Sequence, residues 1–203
     1  MLNARARSGR LGRLLELSLL IFAALALSLL VRSNIAQAFF IPSGSMEPQL
    51  QVGDRVLVSR TSYRLHDVNR GDIVVFPSPT PSMAPDEDPL LKRVAKDMLE
   101  AVALRKPGEH ELIKRIVGLP GETVSAVDGH VVIDGRRLVE PYLPEGLVTD
   151  DFGPVTVPEG QVFVMGDNRP GSQDSRAFGP VEFGDIVGRA FVVFWPTSHW
   201  RWL

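Results

Sequence analysis

Hydrophobic residues follow two different patterns, one near the N-terminus and one over the rest of the chain. The first is a continuous run from Leu14 to Val31 that is apolar except for Glu16 and two serines. An α-helix of that length rises about 27 Å, close to the thickness of the hydrocarbon core of a bilayer. The run therefore predicts one transmembrane helix.

The charges on either side of this run predict its orientation. Four arginines precede it, and only Arg32 follows it closely. Because basic residues stay on the cytoplasmic side, we expect residues 1–13 in the cytoplasm and the anchor over residues 14–32. Residues 33–203 would then form an extracytoplasmic domain at the plasma membrane, held by this single span.

A cleavable signal peptide is the competing interpretation of the same run. Ala36-Gln37-Ala38 has the A-x-A pattern of a cleavage site, although the apolar run exceeds the roughly 7–15 residues usual in signal peptides. Both interpretations place the residues beyond 35 outside the cytoplasm. The same tripeptide raises the hypothesis that the protein cleaves itself after Ala38.

The second pattern consists of short apolar runs separated by turn residues, which predicts strands. Asp128-Gly129 indicates a hairpin with a type I′ turn, and Asp134-Gly135 marks the next turn. The spacing of the turns is typical of a β-sandwich or barrel-like assembly, so the predicted fold class is mostly β. The predicted strands are Asp54–Val58, Asp72–Phe76, Thr123–Val127, His130–Ile133, Val155–Val157, Gln161–Met165 and Asp185–Phe194.

One stretch, at about 77–112, interrupts the strand pattern as an insertion. Residues 77–89 contain five prolines and predict an irregular excursion. Leu90 to Arg105 has apolar residues at helical spacing and predicts a short helix. That helix can pack on the sheet edge or lie on the membrane as a basic amphipathic helix.

Tryptophan is confined to the C-terminus, at Trp195, Trp200 and Trp202. Because tryptophan favours membrane interfaces, this tail can contact lipid headgroups; closure of a final strand explains it equally well.

Composition excludes several functional classes. The 203 residues include 22 Lys and Arg against 24 Asp and Glu, a net charge of −2 that gives no reason to expect a nucleic-acid partner. Cysteine is absent, and the four histidines show no metal-ligand spacing. No metal and no cofactor is expected.

The first candidate for chemistry is Ser45, in the segment Phe39 to Pro48. It lies between Gly44 and Met46 on a tight turn that can present its hydroxyl and backbone N–H groups to a carbonyl, although Gly-Ser is also ordinary in turns. Phe39-Phe40-Ile41, just before this turn, is expected to be a lipid-facing surface.

The second candidate is Lys114, which lies in an apolar strand beside Arg115. Side chains alternate along a strand, so only one of the two is expected to point inward. A buried lysine has a lowered pKa and can accept a proton from a serine hydroxyl. In the alternative, both are solvated cations on an edge strand.

A third candidate is the polar loop 166–176, which follows an apolar strand. Its acids, arginines and two serines suggest a rigid hydrogen-bonded loop, and a surface loop without a catalytic role is equally compatible.

Together and in this order, these segments resemble the type I signal peptidases, the serine–lysine peptidase family S26. The resemblance runs from about Ala38 to Phe194 and implies a signal-peptidase and LexA-like β-sheet assembly. It places the family's nucleophile at Ser45 and its general base at Lys114. The match to Ser43 implies a hydroxyl in the oxyanion hole.

In the polar loop, the resemblance implies that Ser172 hydrogen-bonds and orients the lysine. It also implies that Asp174 and Arg176 form a structural ion pair. The substrates implied are exported preproteins cleaved after small residues in an A-x-A pattern, through an acyl-enzyme. Membrane lipid is the other expected partner, and the expected form is a monomer.

Two other functions remain open at this level. A LexA-type repressor that cleaves itself shares the serine–lysine chemistry, but it would carry an N-terminal DNA-binding module where this chain has an apolar run. A membrane-anchored β-domain that binds extended peptides without cleaving them is the other alternative.

Overall fold

The structure is a computed structural model that describes residues 16–22, 36–65, 67–79 and 111–203. Residues 16–22 are helical, and the rest of the predicted span 14–32 lies outside the described residues. No helix in these described ranges combines the length and apolarity needed to cross a bilayer. The predicted helix Leu90–Arg105 and residues 80–89 of the excursion also lie outside the described part.

Strands dominate the described residues, which confirms the mostly β fold class. The strands are β1 Ala36–Phe40, β2 Arg55–Ser59, β3 Ile73–Pro77, β4 Glu111–Gly118, β5 Thr123–Val127, β6 His130–Ile133, β7 Arg136–Arg137, β8 Phe152–Thr156, β9 Gln161–Met165, β10 Val181–Glu182, β11 Gly188–Trp195 and β12 Arg201–Trp202. The short α-helices are Ser62–Leu65 and Ser175–Phe178, and the 3-10 helices are Gly44–Met46, Phe183–Asp185 and Thr197–His199.

These strands form two antiparallel sheets. The larger has the order β1-β2-β11-β3-β4-β9-β10, with β12 paired to β11, and the smaller has the order β7-β6-β5-β8. Strand β4 continues through the turn at 119–122 into β5, and β8 leads through residues 157–160 back into β9, so two connections join the sheets. Gly118 marks the junction, because a Cβ there would lie 2.5 Å from Val124 and 2.9 Å from Phe163.

The hairpin prediction is confirmed residue for residue. Strands β5 and β6 have the predicted bounds, and Asp128 and Gly129 both have positive φ, as a type I′ turn requires. Asp134 and Gly135 repeat this geometry at the next turn. Strand β9 also has its predicted bounds.

Two strand boundaries were predicted less well. Strand β8 begins at Phe152 rather than Val155 and includes Pro154, which is tolerated because β8 is an edge strand. Strand β11 begins at Gly188 rather than Asp185, because Phe183–Asp185 forms a 3-10 helix.

The expectation of a lipid-facing Phe39-Phe40-Ile41 surface is wrong for two of the three residues. Residues 36–40 form β1, antiparallel to β2, and this pairing directs Phe39 and Ile41 into the core with Met46. Their side chains are 2% and 1% exposed. The same pairing places Ala38 opposite Leu57, so self-cleavage after Ala38 would require β1 to detach from its neighbour.

The C-terminal tail closes the larger sheet. Strand β12 pairs with β11 through Trp202 and Arg201, which confirms the final-strand interpretation. Trp195, Trp200 and Trp202 nevertheless remain largely exposed.

Candidate active site

Ser45 lies on the 3-10 helix Gly44–Met46 in the connection between β1 and β2. Buried Met46 and Leu50 anchor this turn, and the N–H of Leu50 donates to the carbonyl of Met46 at 2.8 Å. The first N–H groups of a helix have no partner within that helix. The Ser45 N–H, at the second position of this short helix, therefore has no partner within it.

Lys114, in the middle of β4, reaches the serine across the core. Its Nζ lies 2.7 Å from Ser45 Oγ and 2.9 Å from the carbonyl oxygen of Ile113. The side chain is 2% exposed. The two residues that the sequence proposed as nucleophile and base are thus hydrogen-bonded inside the protein.

Burial lowers the pKa of Lys114 to about 8, because the low-dielectric surroundings disfavour the ammonium. The negative charges of Asp174 and Asp167 act in the opposite direction and raise it. Within the described ranges no carboxylate forms an ion pair with Lys114. About half of the lysine is therefore neutral at a pH of about 8.

The expectation that only one of Lys114 and Arg115 points inward is wrong. Arg115 is 8% exposed and forms a bidentate ion pair with Asp167 at 2.8 and 2.6 Å. Its guanidinium also lies 4.0 Å from the ring centroid of Tyr142. Both faces of β4 are covered, and only the arginine is buried together with a carboxylate.

Ser43 and Ser172 lie close to the candidate pair Ser45 and Lys114 but differ in their contacts. Ser43 Oγ is 3.5 Å from Ser45 Oγ, on the nucleophile's own turn. Ser172 Oγ is buried beside Gly166 and makes no hydrogen bond to Lys114; its hydroxyl instead contributes to lowering the pKa of Asp174. The hydrogen bond from Ser172 that the resemblance implies for Lys114 is thus absent from this arrangement.

The ion pair implied for the polar loop is present. Arg176 Nε and Asp174 Oδ1 are 2.8 Å apart, and Asp174 is fully buried. Burial raises the pKa of Asp174, but hydrogen bonds from Arg176 and from the N–H of Gly166 outweigh this and lower it below its ordinary value. The loop is consequently rigid where it passes the dyad.

Three further residues contribute to the site, although sequence reasoning gave them no role. Asp167, Asn168 and Arg169 follow β9 after Gly166. Arg169 is 1% exposed and binds Glu140 and Thr149 from the smaller sheet's connecting segment. The sequence feature that could have indicated these residues is the run of charged and polar side chains that begins where an apolar strand ends.

Asn168 contacts the nucleophile turn itself. Its backbone N–H donates to the carbonyl of Ser45 at 3.1 Å, and its side-chain Nδ2 donates to the carbonyl of Gly44 at 3.0 Å. Gly166 adds steric contact, because a Cβ there would lie 2.4 Å from the Ser45 carbonyl oxygen. The loop thus holds the turn through both polar and close backbone contacts.

A small apolar groove lies beside the start of β4. It is lined by residues 39–42 and residues 111–113 together with Val75, and it ends one residue before Lys114. Pairing with β9 begins only at Arg115, so residues 111–114 have no strand neighbour on that side among the described residues. A larger cavity of about 800 Å³ lies beside the smaller sheet, and no predicted site residue lines it.

The described residues contain no cluster of three or more His, Asp or Glu side chains that could hold a metal ion.

Comparison with known proteins gives consistent matches over most of the chain. The family model described as signal peptidase, peptidase S26, matches residues 14–195. A probable signal peptidase I-2 of Synechocystis is 41% identical over 91% of this chain and 75% of its own length. Signal peptidase I of Mycobacterium tuberculosis is 34% identical over 96% of this chain and 76% of its own length.

A crystal structure of a signal peptidase I from Enterococcus faecalis is also similar to this chain. It is 32% identical, with a TM-score of 0.43, and the match covers 61% of this chain and 97% of that one.

Proposed function

Because the chain belongs to the signal peptidase, peptidase S26, family, we propose that it removes signal peptides with Ser45 as nucleophile and Lys114 as general base. One observation carries the assignment: the 2.7 Å contact between Lys114 Nζ and Ser45 Oγ, made by a buried lysine that has no carboxylate ion pair in the described structure. A serine hydroxyl needs such a neighbouring base to become nucleophilic.

The first step forms an acyl-enzyme. Neutral Lys114 accepts the hydroxyl proton while Ser45 Oγ attacks the scissile carbonyl carbon, and the carbonyl electrons move onto oxygen. The lysine ammonium then gives its proton to the leaving amine as the C–N bond breaks. In the second step Lys114 takes a proton from water and the hydroxide attacks the ester carbonyl carbon. The C–O bond to Ser45 then breaks, the signal peptide leaves with a free carboxyl group, and the proton on Lys114 returns to Ser45 Oγ.

The oxyanion would be held by the Ser45 N–H and the Ser43 hydroxyl. The N–H belongs to the first turn of a 3-10 helix, and the Ser43 hydroxyl lies 3.5 Å from the nucleophile. A well-placed donor of this kind typically contributes about 3–4 kcal/mol to transition-state stabilisation.

The preprotein would bind as an added strand in the groove between residues 39–42 and 111–113. The open edge of β4 offers backbone hydrogen bonds, and the apolar walls offer little depth for side chains. Such a groove admits methyl groups and excludes larger ones, which accounts for an A-x-A preference.

Cleavage of a preprotein with an A-x-A site by the purified full chain tests this assignment. Wild type should cleave after the second alanine, whereas Ser45→Ala and Lys114→Ala should each lose at least about a thousandfold in kcat. The exposed serine variant Ser198→Ala is the matched control and should retain full activity. Binding of the preprotein without cleavage by wild type would instead identify a peptide-binding domain.

We also propose that residues 14–32 anchor the enzyme in the plasma membrane, with residues 33–203 outside the cytoplasm. The apolar run and the arginines before it support this topology. Because the chain has no cysteine, single cysteines introduced at Ser8 and at exposed Glu159 can report it. In intact cells a membrane-impermeant maleimide should label Glu159→Cys and spare Ser8→Cys; the reverse pattern contradicts the topology.

A further inference from the structure

The peptide unit that joins Gly44 to Ser45 has a hydrogen bond on its carbonyl side from a residue far away in sequence. Asn168 Nδ2 donates to the Gly44 carbonyl oxygen at 3.0 Å, across a separation of 124 residues. The same oxygen accepts the Glu47 N–H at 3.1 Å within the 3-10 helix. This carbonyl therefore has two donors, one local and one from the polar loop.

The carbonyl and the N–H of one peptide unit cannot be aimed independently. The unit is planar and trans, so the Gly44 C=O and the Ser45 N–H point in opposite directions. Holding the carbonyl oxygen on one side consequently sets the direction of the N–H on the other. Hydrogen bonds to a carbonyl also polarise the unit and make its N–H a stronger donor.

Asn168 is itself held in place. Its neighbours Asp167 and Arg169 are both fully buried in ion pairs, with Arg115 and Glu140 respectively. Gly171 packs against the amide, because a Cβ at that position would lie 2.8 Å from Asn168 Nδ2. The side-chain amide thus projects from a rigid base.

We propose that Asn168 is a positioning residue for the oxyanion hole: its side-chain amide holds the Gly44–Ser45 peptide so that the Ser45 N–H faces the developing oxyanion. This rests on the proposed function, which makes Ser45 the nucleophile. Among the described hydrogen bonds, the Asn168 side chain makes none to Ser45 Oγ or to Lys114. Its effect should therefore appear in transition-state binding and leave ground-state binding unchanged.

The test compares Asn168→Ala and the nearly isosteric Asn168→Asp with wild type. Both variants keep the backbone N–H of residue 168, so the contact to the Ser45 carbonyl is retained and only the amide donor is lost. Gln173→Ala, an exposed residue of the same loop, is the matched control. Cleavage is measured on the high-pH plateau, where Lys114 is neutral in every variant.

A matched pair of inhibitors separates positioning from loss of structure. A substrate-like peptide trifluoromethyl ketone forms a hemiketal with Ser45, and the hemiketal oxygen occupies the oxyanion hole. The corresponding alcohol binds the groove but cannot form a hemiketal, so it places no oxyanion in the hole. For both variants we expect kcat to fall about 10- to 100-fold with KM within threefold of wild type. Ketone affinity should fall by a similar factor, alcohol affinity should be unchanged, and Asn168→Ala should keep the pH midpoint near 8.

Other results overturn the proposal. A kcat within threefold of wild type shows that the amide does not position the hole. A lower kcat with unchanged ketone affinity places its effect elsewhere. A loss of activity that only follows a lower folded fraction, measured by thermal unfolding, assigns a structural role alone. If wild type itself fails to cleave, the proposed function fails first, and this outcome is distinct from the others.

Discussion

Lys114 and Arg115 are consecutive cations on β4, both are buried, and only Arg115 is ion-paired with a carboxylate among the described residues. The Arg115 guanidinium donates hydrogen bonds to the Asp167 carboxylate and to the Gly71 carbonyl. The lysine is left with a serine hydroxyl and a backbone carbonyl. Two adjacent cations therefore have different electrostatic environments: a carboxylate compensates the charge of Arg115, whereas burial disfavours the charge of Lys114.

The first prediction is a rise in activity with pH. Burial lowers the pKa of Lys114 to about 8, and only the neutral amine can act as the base. Below that pH kcat/KM should therefore rise about tenfold per pH unit and then reach a plateau above it. Initial rates on a peptide substrate without titrating groups measure this, and a flat profile from about pH 6 to 10 contradicts the assignment.

The second prediction is that Lys114→Met abolishes activity but stabilises the fold at pH 7. The folded pKa of about 8 lies below the ordinary 10.5, so the unfolded chain binds more protons between these values. The free energy of unfolding of wild type should therefore increase as the pH rises from about 8 to about 10.5. Below pH 8, wild type should lack this increase in stability. The variant should be about 3 kcal/mol more stable at pH 7.

Urea unfolding of both proteins at pH 7 and near pH 10 measures this effect. Taking the difference between the two proteins cancels the titration of Tyr63 and Tyr142, whose pKa values burial raises. If the difference in unfolding free energy between Lys114→Met and wild type were equal at both pH values, the charge of Lys114 would not be the cause of that difference.

The sequence predicted the parts of the fold that short-range rules determine. The β5–β6 hairpin depends on Asp128-Gly129 and on alternation within a few residues, and it was predicted with its bounds. The burial of Phe39 depends on pairing with β2, and the ion pair of Arg115 depends on a residue 52 positions away. No local pattern reports such partners, so both were missed.

In the candidate site, too, some features follow from local sequence and others depend on residues far apart in the chain. Ser45 and Lys114 could be named from their segments and from the resemblance, because residue type carries the chemistry. The contact of Asn168 with Gly44 spans 124 residues and depends on where the polar loop crosses the nucleophile turn. Only the folded arrangement of β4, β9 and this turn reveals it.

The third prediction concerns the buried pair of Asp167 and Arg115. Asp167→Asn leaves Arg115 buried without a carboxylate, and breaking such a pair typically costs about 3–5 kcal/mol. The exposed control Asp67→Asn should change stability by less than about 0.5 kcal/mol. Urea midpoints measure both, and equal effects would show that the ion pair adds nothing beyond a surface carboxylate.

The fourth prediction is that Gly166→Ala damages catalysis more than folding. A Cβ on Gly166 would lie 2.2 Å from Ser172 Oγ and 2.4 Å from the Ser45 carbonyl oxygen, so the nucleophile turn must shift. A displacement of about 1 Å at the reacting group can cost about a hundredfold in rate. We expect at least that loss in kcat, with the melting temperature lowered by only a few degrees.

Gly184→Ala is the matched control for this substitution. Gly184 is exposed, and a Cβ there would have no atom within 4 Å. Its kcat and melting temperature should both stay close to wild type. If Gly166→Ala retained wild-type kcat, the close approach of the polar loop to Ser45 would not hold the nucleophile in place; if both alanine variants lost activity, the effect would belong to glycine replacement in general rather than to contact with the dyad.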